Sequence, residues 1–363
     1  MSEFSQKLVR MQALMAAHKL DALLMQRIGS FAWATCGAAS YVNTAATHGA
    51  ATLLVTPSGR YVVTDNIEAT RLEQEEKLPE QGWDLRVAPW HEADGILARL
   101  TEGLRLGADG PYPGAVDLSG ELARLRANLT PEEGQRLREL SRLCADAMDH
   151  AARAIHPGQS EHQIAGRLAL EAESRGVQAV VNLVATDERI FAYRHPLPTA
   201  RRLERYAMLV LCGRRSGLVS SLTRLVHFGP LPSEVRRRAE AVARVEAAFL
   251  AATSPGQTLG QVFQSGVEAY AATGFPEEWR LHHQGGLVGY EPREYLATPG
   301  SVDMVLEGQA YAWNPSITGT KSEDTILIGR EGNDVLTAIP GWPTLPVTVD
   351  GRELLRPAIL ENE

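Results

Sequence analysis

The chain has 363 residues, 44% of them hydrophobic, and a net charge of -8. That length suits two globular units with separate cores, and the acidic balance gives no global basic field for nucleic acid or anionic lipid. Three cysteines (Cys36, Cys144, Cys212) are too few and too scattered for a disulfide framework or a zinc site. The first 25 residues are interrupted by Lys7, Arg10, His18, Lys19 and Asp21, so they lack the apolar core of a secretory leader. No other run reaches the ~18 apolar residues of a membrane span. A cytoplasmic, non-membrane protein is expected.

In chain order, Leu8, Met11, Leu14 and Met15 recur at helical spacing. Short strand-like runs follow at Ala22–Met25, Ala51–Val55 and Arg60–Val63, the last two joined by a Pro57-Ser58-Gly59 turn. Helical patterns at Asn66–Glu76 and Glu92–Thr101 complete a strand–helix alternation, the mark of a small α/β domain. Glycine and proline cluster between Gly107 and Gly114, and Thr130-Pro131-Glu132-Glu133 then starts a long helix with an N-cap and proline at the first position. The boundary is placed there, giving domains 1–128 and 129–363.

The second part repeats itself. His156-Pro157-Gly158-Gln159-Ser160 returns as Ser254-Pro255-Gly256-Gln257-Thr258, and at the same offset Gln163 matches Gln261 and Gly176 matches Gly274. Each copy sits between two helical patterns, with a Ser or Thr N-cap before the second and a glycine stop after it. Duplicated halves pack about a pseudo-two-fold axis and leave an interface cleft. Between apolar runs such as Gln309–Trp313 and Thr325–Ile328, the segments HHQGGLVGYEPRE (282–294) and NPSITGTKSED (314–324) concentrate polar groups suited to a shared cleft.

That pattern resembles the histidine and glutamate strands of the pita-bread family, which includes methionine aminopeptidase, aminopeptidase P, prolidase and creatinase. The resemblance implies an α/β (α+β) protein: a small creatinase-like α/β domain, then a curved antiparallel sheet covered by two helix pairs. In the family's metallopeptidases one His, two Asp and two Glu hold two divalent metals. Matched residue by residue, the aspartate positions fall on Val210 and Ser221, anchored on Thr223-Arg224. The histidine ligand matches His283, the first glutamate position holds Asn314, and the last matches Glu323. Two hard ions need several anionic oxygens. A metal-independent site is therefore expected, with no cofactor; the alternative is one weakly held divalent ion (Mn, Zn or Co) at His283 and Glu323, with Asp324 on the opposite strand face.

Creatinase is the family's metal-free precedent. The resemblance carries its catalytic histidine onto His195, within Phe191–Pro196. His195, His283 and Glu323 are thus the expected catalytic set, with the two imidazoles facing one another and Glu323 hydrogen-bonded to one of them. Tyr290 is expected to donate to a developing oxyanion, Arg293 and Arg224 to bind a carboxylate, and His282, Asn314 and Lys321 to complete the substrate site. Cys212 reads as a packed thiol. The expected function is metal-independent hydrolysis of a C–N bond in a small polar or carboxylate-bearing substrate. The alternatives are a metallo Xaa-Pro aminopeptidase or prolidase acting on short peptides, and a non-catalytic binding module. The resemblance also implies a homodimer.

Overall fold

The computed structural model describes residues 1–330 and 332–362, with Ala93 and Asp94 described by backbone alone. It divides into two compact units, Met1–Ala127 with Ser216–Leu218, and Asn128–Arg215 with Val219–Glu363.

The first unit runs α1 (Glu3–Ala17), β1 (Ala22–Arg27), α2 (Ile28–Ala34), β2 (His48–Val55), β3 (Arg60–Asp65), α3 (Ala69–Gln74), β4 (Asp84–Ala88), α4 (Ala93–Thr101), β5 (Leu106–Ala108), β6 (Val116–Asp117) and α5 (Ser119–Ala127). The spacing read at Met11 and Met15 is the buried stripe of α1, capped by the Ser2 side chain. Six strands pair in the order β4-β3-β2-β1-β5-β6. β1, β2 and β3 are antiparallel neighbours, whereas β4, β5 and β6 join in parallel, so the sheet is mixed.

The second unit contains α6 (Pro131–Ala154), α7 (Glu161–Glu173), β7 (Gln178–Thr186), α8 (Glu188–Ala192), β8 (Tyr206–Arg215), β9 (Leu218–Phe228), α9 (Ser233–Ala252) and α10 (Leu259–Ala272). Short strands then follow: β10 (Gly285–Val288), β11 (Tyr295–Leu296), β12 (Ala310–Trp313), β13 (Ser316–Ile317), β14 (Thr320–Lys321), β15 (Asp324–Ile328), β16 (Asn333–Val335), β17 (Thr344–Val349), β18 (Arg352–Pro357) and β19 (Leu360–Asn362). The repeat is physical. Both α7 and α10 begin with a capping box, Ser160 with Gln163 and Thr258 with Gln261. The glycines of both Pro-Gly turns, Gly158 and Gly256, have left-handed φ of 90° and 94°. Such turns need glycine because a Cβ would strain the backbone. The proposed N-cap of α6 is likewise a full capping box, Thr130 with Glu133.

Two sheets build the site, β19-β9-β8-β7 and β11-β10-β12-β15-β16. They meet where Thr223 of β9 bridges Glu323, and where the Thr325 hydroxyl accepts from the Ser221 amide and donates to its carbonyl. Apolar layers cover them: Met208, Val210 and Leu225 pack with Val235 and Ala239 of α9. Trp313 of β12 stacks on Phe249 of α9 at 4.6 Å between ring centres. Trp313 also donates its indole N–H to Thr253, which satisfies the polar end of a buried aromatic.

Candidate functional site

β9 and the start of β15 separate two sets of charges by strand alternation. Asp324 faces away from the cleft segments, where its Oδ1 accepts from Arg224 (2.8 Å) and from Thr337 (2.6 Å). Its other oxygen meets Arg356, which also donates to Glu246 at 2.9 Å. All four charged groups are buried, so this is a compensated ion network that fixes β15, β18 and α9. Glu323 points the other way. Its Oε1 accepts from Arg293 at 2.9 Å, its Oε2 accepts from the Thr223 hydroxyl at 2.6 Å, and Lys321 Nζ lies 3.8 Å from Oε2.

These partners decide the charge states. Burial pushes the Glu323 carboxyl up, but Lys321, Arg293 and the Thr223 hydroxyl together outweigh it and hold it below the ordinary value. Glu323 is a carboxylate at neutral pH. Lys321 is itself buried, and burial together with the Arg293 charge outweighs Glu323 and holds its ammonium below the usual lysine range.

Three imidazoles stand beside this cluster. His282 follows a short helical turn, Glu278–Leu281, and precedes β10. Its Nε2 is 3.1 Å from Nε2 of His195, and its Nδ1 is 3.3 Å from the Ser316 hydroxyl. His283 lies 4.4 Å from His282 and 5.4 Å from His195 between ring centres. The loop holding His195 is pinned by Arg194, which donates to Glu278 at 2.6 Å and to Thr318 at 3.0 Å. Below His282, the buried Gln284 amide donates to the carbonyls of Trp279 (3.1 Å) and His282 (2.6 Å) and accepts from Tyr270 (2.8 Å). Gly285 and Gly286 then let β10 pass close to its neighbours. A Cβ on Gly285, whose φ is 106°, would collide with the Ala312 carbonyl.

All three rings are held neutral. Burial lowers each, and the Lys321 charge adds to the effect at His195 and His282; His283 is held down to about 4 by burial and by Arg293. Each neutral ring therefore has one nitrogen lone pair, and across the His195–His282 contact one Nε2 accepts from the other.

The expected residues divide accordingly. His195, His282, His283, Arg293, Lys321 and Glu323 come together. Asn314 is buried with its side-chain oxygen unpartnered, and its backbone N–H donates to the Gln284 carbonyl. Two expectations need correcting. Arg224 is committed to Asp324, Thr337 and the Thr223 and Glu323 carbonyls on the opposite face, because alternation from Thr223 turns it away. The Tyr290 hydroxyl donates to Glu133 at 2.6 Å, at the start of α6, so its one proton is spent on a helix terminus. A third difference lies in Glu323, whose oxygens are taken by Arg293 and Thr223 rather than by an imidazole. Cys212 is a packed thiol as expected, accepting from Ser221 at 3.2 Å and pushed up by burial to about 11. Thr223, Ser316 and the Arg194–Glu278 pair were missed. Thr223 had a sequence signal in its place next to Arg224; the others are positioned by tertiary register alone.

The positions that would hold a pair of hard divalent ions carry Val210, Ser221, His283, Asn314 and Glu323. The one carboxylate among them is already paired with a guanidinium, whose other nitrogen lies 3.5 Å from Ser221 Oγ. Arg293 thus bridges the second aspartate position and the last glutamate position. This donor set does not fit two hard ions, which bind anionic oxygen.

A creatinase-like α/β unit followed by a duplicated helix-covered sheet, with a histidine–carboxylate cleft between its strands, defines a protein of the creatinase and prolidase class. The chain belongs to metallopeptidase family M24, whose profile matches residues 135–330, and residues 7–131 match the creatinase/prolidase N-terminal domain. Members of that family normally use divalent metals. Among curated relatives, an uncharacterized peptidase of Staphylococcus saprophyticus is 23% identical over 61% of this chain and 65% of its own length. Agropine synthesis cyclase of Rhizobium rhizogenes is 28% identical over 43% of this chain and 42% of its own. The chain thus spans less than two thirds of the length of these relatives. Among solved structures, a Xaa-Pro dipeptidase from Bacillus anthracis superposes with a TM-score of 0.80 at 18% identity, over 99% of this chain and 100% of that one. That likeness concerns the fold. Among the described residues no helix is long and apolar enough to cross a membrane.

Proposed function

We propose that this protein is a metal-independent hydrolase that cleaves a C–N bond in a small, polar, carboxylate-bearing molecule by imidazole acid–base chemistry. The observation that carries the reading is the Arg293 guanidinium seated between Glu323 and Ser221, with Lys321 beside the same carboxylate. Fixed cations stand where the family's donor positions would place metal charge. Arg293 and Lys321 outnumber Glu323 by one charge, so the cleft favours an anionic ligand, and a guanidinium suits a carboxylate's planar oxygens.

In the mechanism, the His195–His282 pair, sharing a proton between their Nε2 atoms, accepts a proton from water as its oxygen adds to the carbon of the C–N bond. Arg293 and Lys321 stabilise the negative charge that forms on substrate oxygen. The imidazolium then returns the proton to the leaving nitrogen as the C–N bond breaks. Binding also prepares the base: a substrate carboxylate offsets Lys321, which adds to burial in depressing His195 and His282, so their basicity rises when substrate is present. The relative named as a cyclase supports small-molecule chemistry on this fold. A homodimer acting in the cytoplasm completes the proposal, on the family resemblance.

The test is a panel of small carboxylates with amide, ureido, amidino and N-acyl bonds, together with Xaa-Pro dipeptides, assayed for amine or ammonia release in excess chelator. Turnover of a small carboxylate in chelator is expected. Turnover that appears only after manganese or cobalt is added would overturn the reading.

A further inference from the structure

The proposed acid–base steps use the lone pairs of His195 and His282, and these converge with that of His283 on one point. The ligand atoms of His195, His282 and His283 all lie within 4.8 Å of one another, and two of them are 3.1 Å apart. Three nitrogens held at about 2.0–2.1 Å from a tetrahedral ion stand roughly 3.3 Å apart, so the longer separations in the set must contract when an ion binds. A further observation points to a ligand. His283 Nδ1 is buried with no partner. Buried polar atoms are ordinarily satisfied, so an orphaned ring nitrogen within the cluster marks an unfilled demand. The Ser316 hydroxyl can accept N–H from His282 Nδ1, leaving Nε2 as the metal-facing atom. His195 is exposed, which opens the cluster to entry from solvent.

We infer that these three histidines form a site for one zinc-like transition ion, distinct from the family's carboxylate positions, and that its occupancy reversibly inhibits the enzyme. The inference rests on the metal-independent reading, since an ion holding all three lone pairs removes the imidazole base that the proposed mechanism uses. The donor chemistry selects the ion. Three neutral imidazoles suit Zn²⁺, Co²⁺, Ni²⁺ or Cu²⁺, whereas Mg²⁺ and Ca²⁺ require the oxygen anions that Glu323 has already given to Arg293. The Arg293 and Lys321 charges oppose any dication, so the ion is held less tightly than in a site without neighbouring cations and stays exchangeable.

The experiment titrates the metal-stripped full-length protein with Co²⁺ and Zn²⁺, following the visible absorption of tetrahedral Co²⁺ and competition with a chromophoric chelator. One ion per chain is expected, lost in His195→Ala and in His282→Gln and weakened roughly tenfold in Ser316→Ala. His195 is on an exposed loop, so its variant folds whatever happens at His282. Absence of binding in the wild type, or unchanged binding in His195→Ala, overturns the site. Where turnover in chelator has been found, zinc must suppress it with the same titration curve. Turnover in chelator that stoichiometric zinc leaves unchanged overturns the inhibition alone, leaving the metal-independent reading intact. Turnover that requires zinc overturns both the inhibition and that reading.

Discussion

Replacing Arg293 with Met isolates the contact on which the site turns. Met keeps most of the side-chain volume but leaves Glu323, a buried carboxylate, with Thr223 and Lys321 as its partners. Removing one member of a buried ion pair costs about 3–5 kcal/mol. Because Arg293 is 13% exposed and Lys321 remains, the lower end, about 3 kcal/mol, is the working figure. In a unit of this size each kcal/mol shifts the melting temperature by roughly 2–4 °C, so a fall of about 6–12 °C is expected. The pH dependence carries the sharper signal. The folded Glu323 carboxyl is held below its ordinary value, so its stabilisation is present above the unfolded value of about 4.3 and is lost as pH falls through the depressed folded value. In Arg293→Met the folded carboxyl rises, so the variant loses most at neutral pH and converges on the wild type in acid. Thermal or urea unfolding at neutral and at acidic pH measures this directly. A loss of equal size at both pH values would mean that the guanidinium acts by packing alone, and the argument for an internal cation at the metal positions would fail.

Three further outcomes follow. His195→Ala should lower kcat/KM for any hydrolytic substrate found by about two to four orders of magnitude without moving the melting temperature; wild-type turnover would remove His195 from the chemistry. Glu161, wholly buried, accepts from Thr186 N–H (2.8 Å), Thr199 N–H (2.9 Å), the Thr199 hydroxyl (2.7 Å) and Arg189, which together outweigh burial and hold its carboxyl low. Glu161→Gln should therefore cost about 2–4 kcal/mol at neutral pH, shrinking as pH falls through the depressed folded value; urea midpoints across that range check it. Gly285→Ala should cost at least the ~1–3 kcal/mol of a strained backbone plus its collision with Ala312, and a wild-type melting curve would show that β10 relaxes more freely than its register implies.

What could be read from the sequence was local or periodic. The capping boxes at Thr130, Ser160 and Thr258 lie within four residues of their partners, and strand alternation alone put Asp324 on the face opposite Glu323. The misplacements share a different cause. Tyr290 finds its acceptor 157 residues away, at Glu133, and Arg224 finds Asp324 across a sheet junction. Neither partner is marked near the residue itself. Glu323 is expected beside an imidazole whose tautomer it would fix, but a guanidinium that reaches it across the cleft offers a stronger, charge-assisted bond. His282 is expected only as a substrate contact. It joins the cluster because regular pairing begins only at Gly285, so the alternation that would separate adjacent side chains does not govern 282 and 283.

The lost carboxylates and the reliance on imidazoles belong together physically. A metal pair supplies both an electrophile and a hydroxide, since a coordinated water loses its proton near neutral pH. A guanidinium or ammonium fixed by the fold supplies the first of these but not the second, because it coordinates no water. Arg293, anchored by its bond to the Pro292 carbonyl (2.6 Å) as well as by Glu323, can stabilise developing negative charge without any ion to acquire. A site built this way must find its base elsewhere, among groups that carry a lone pair at neutral pH. Burial first, and then Lys321 beside all three rings with Arg293 beside His195 and His283, keep these imidazoles deprotonated. The cations thus add to burial in setting the resting state of the proposed base, and an anion that neutralised them on binding would raise its basicity.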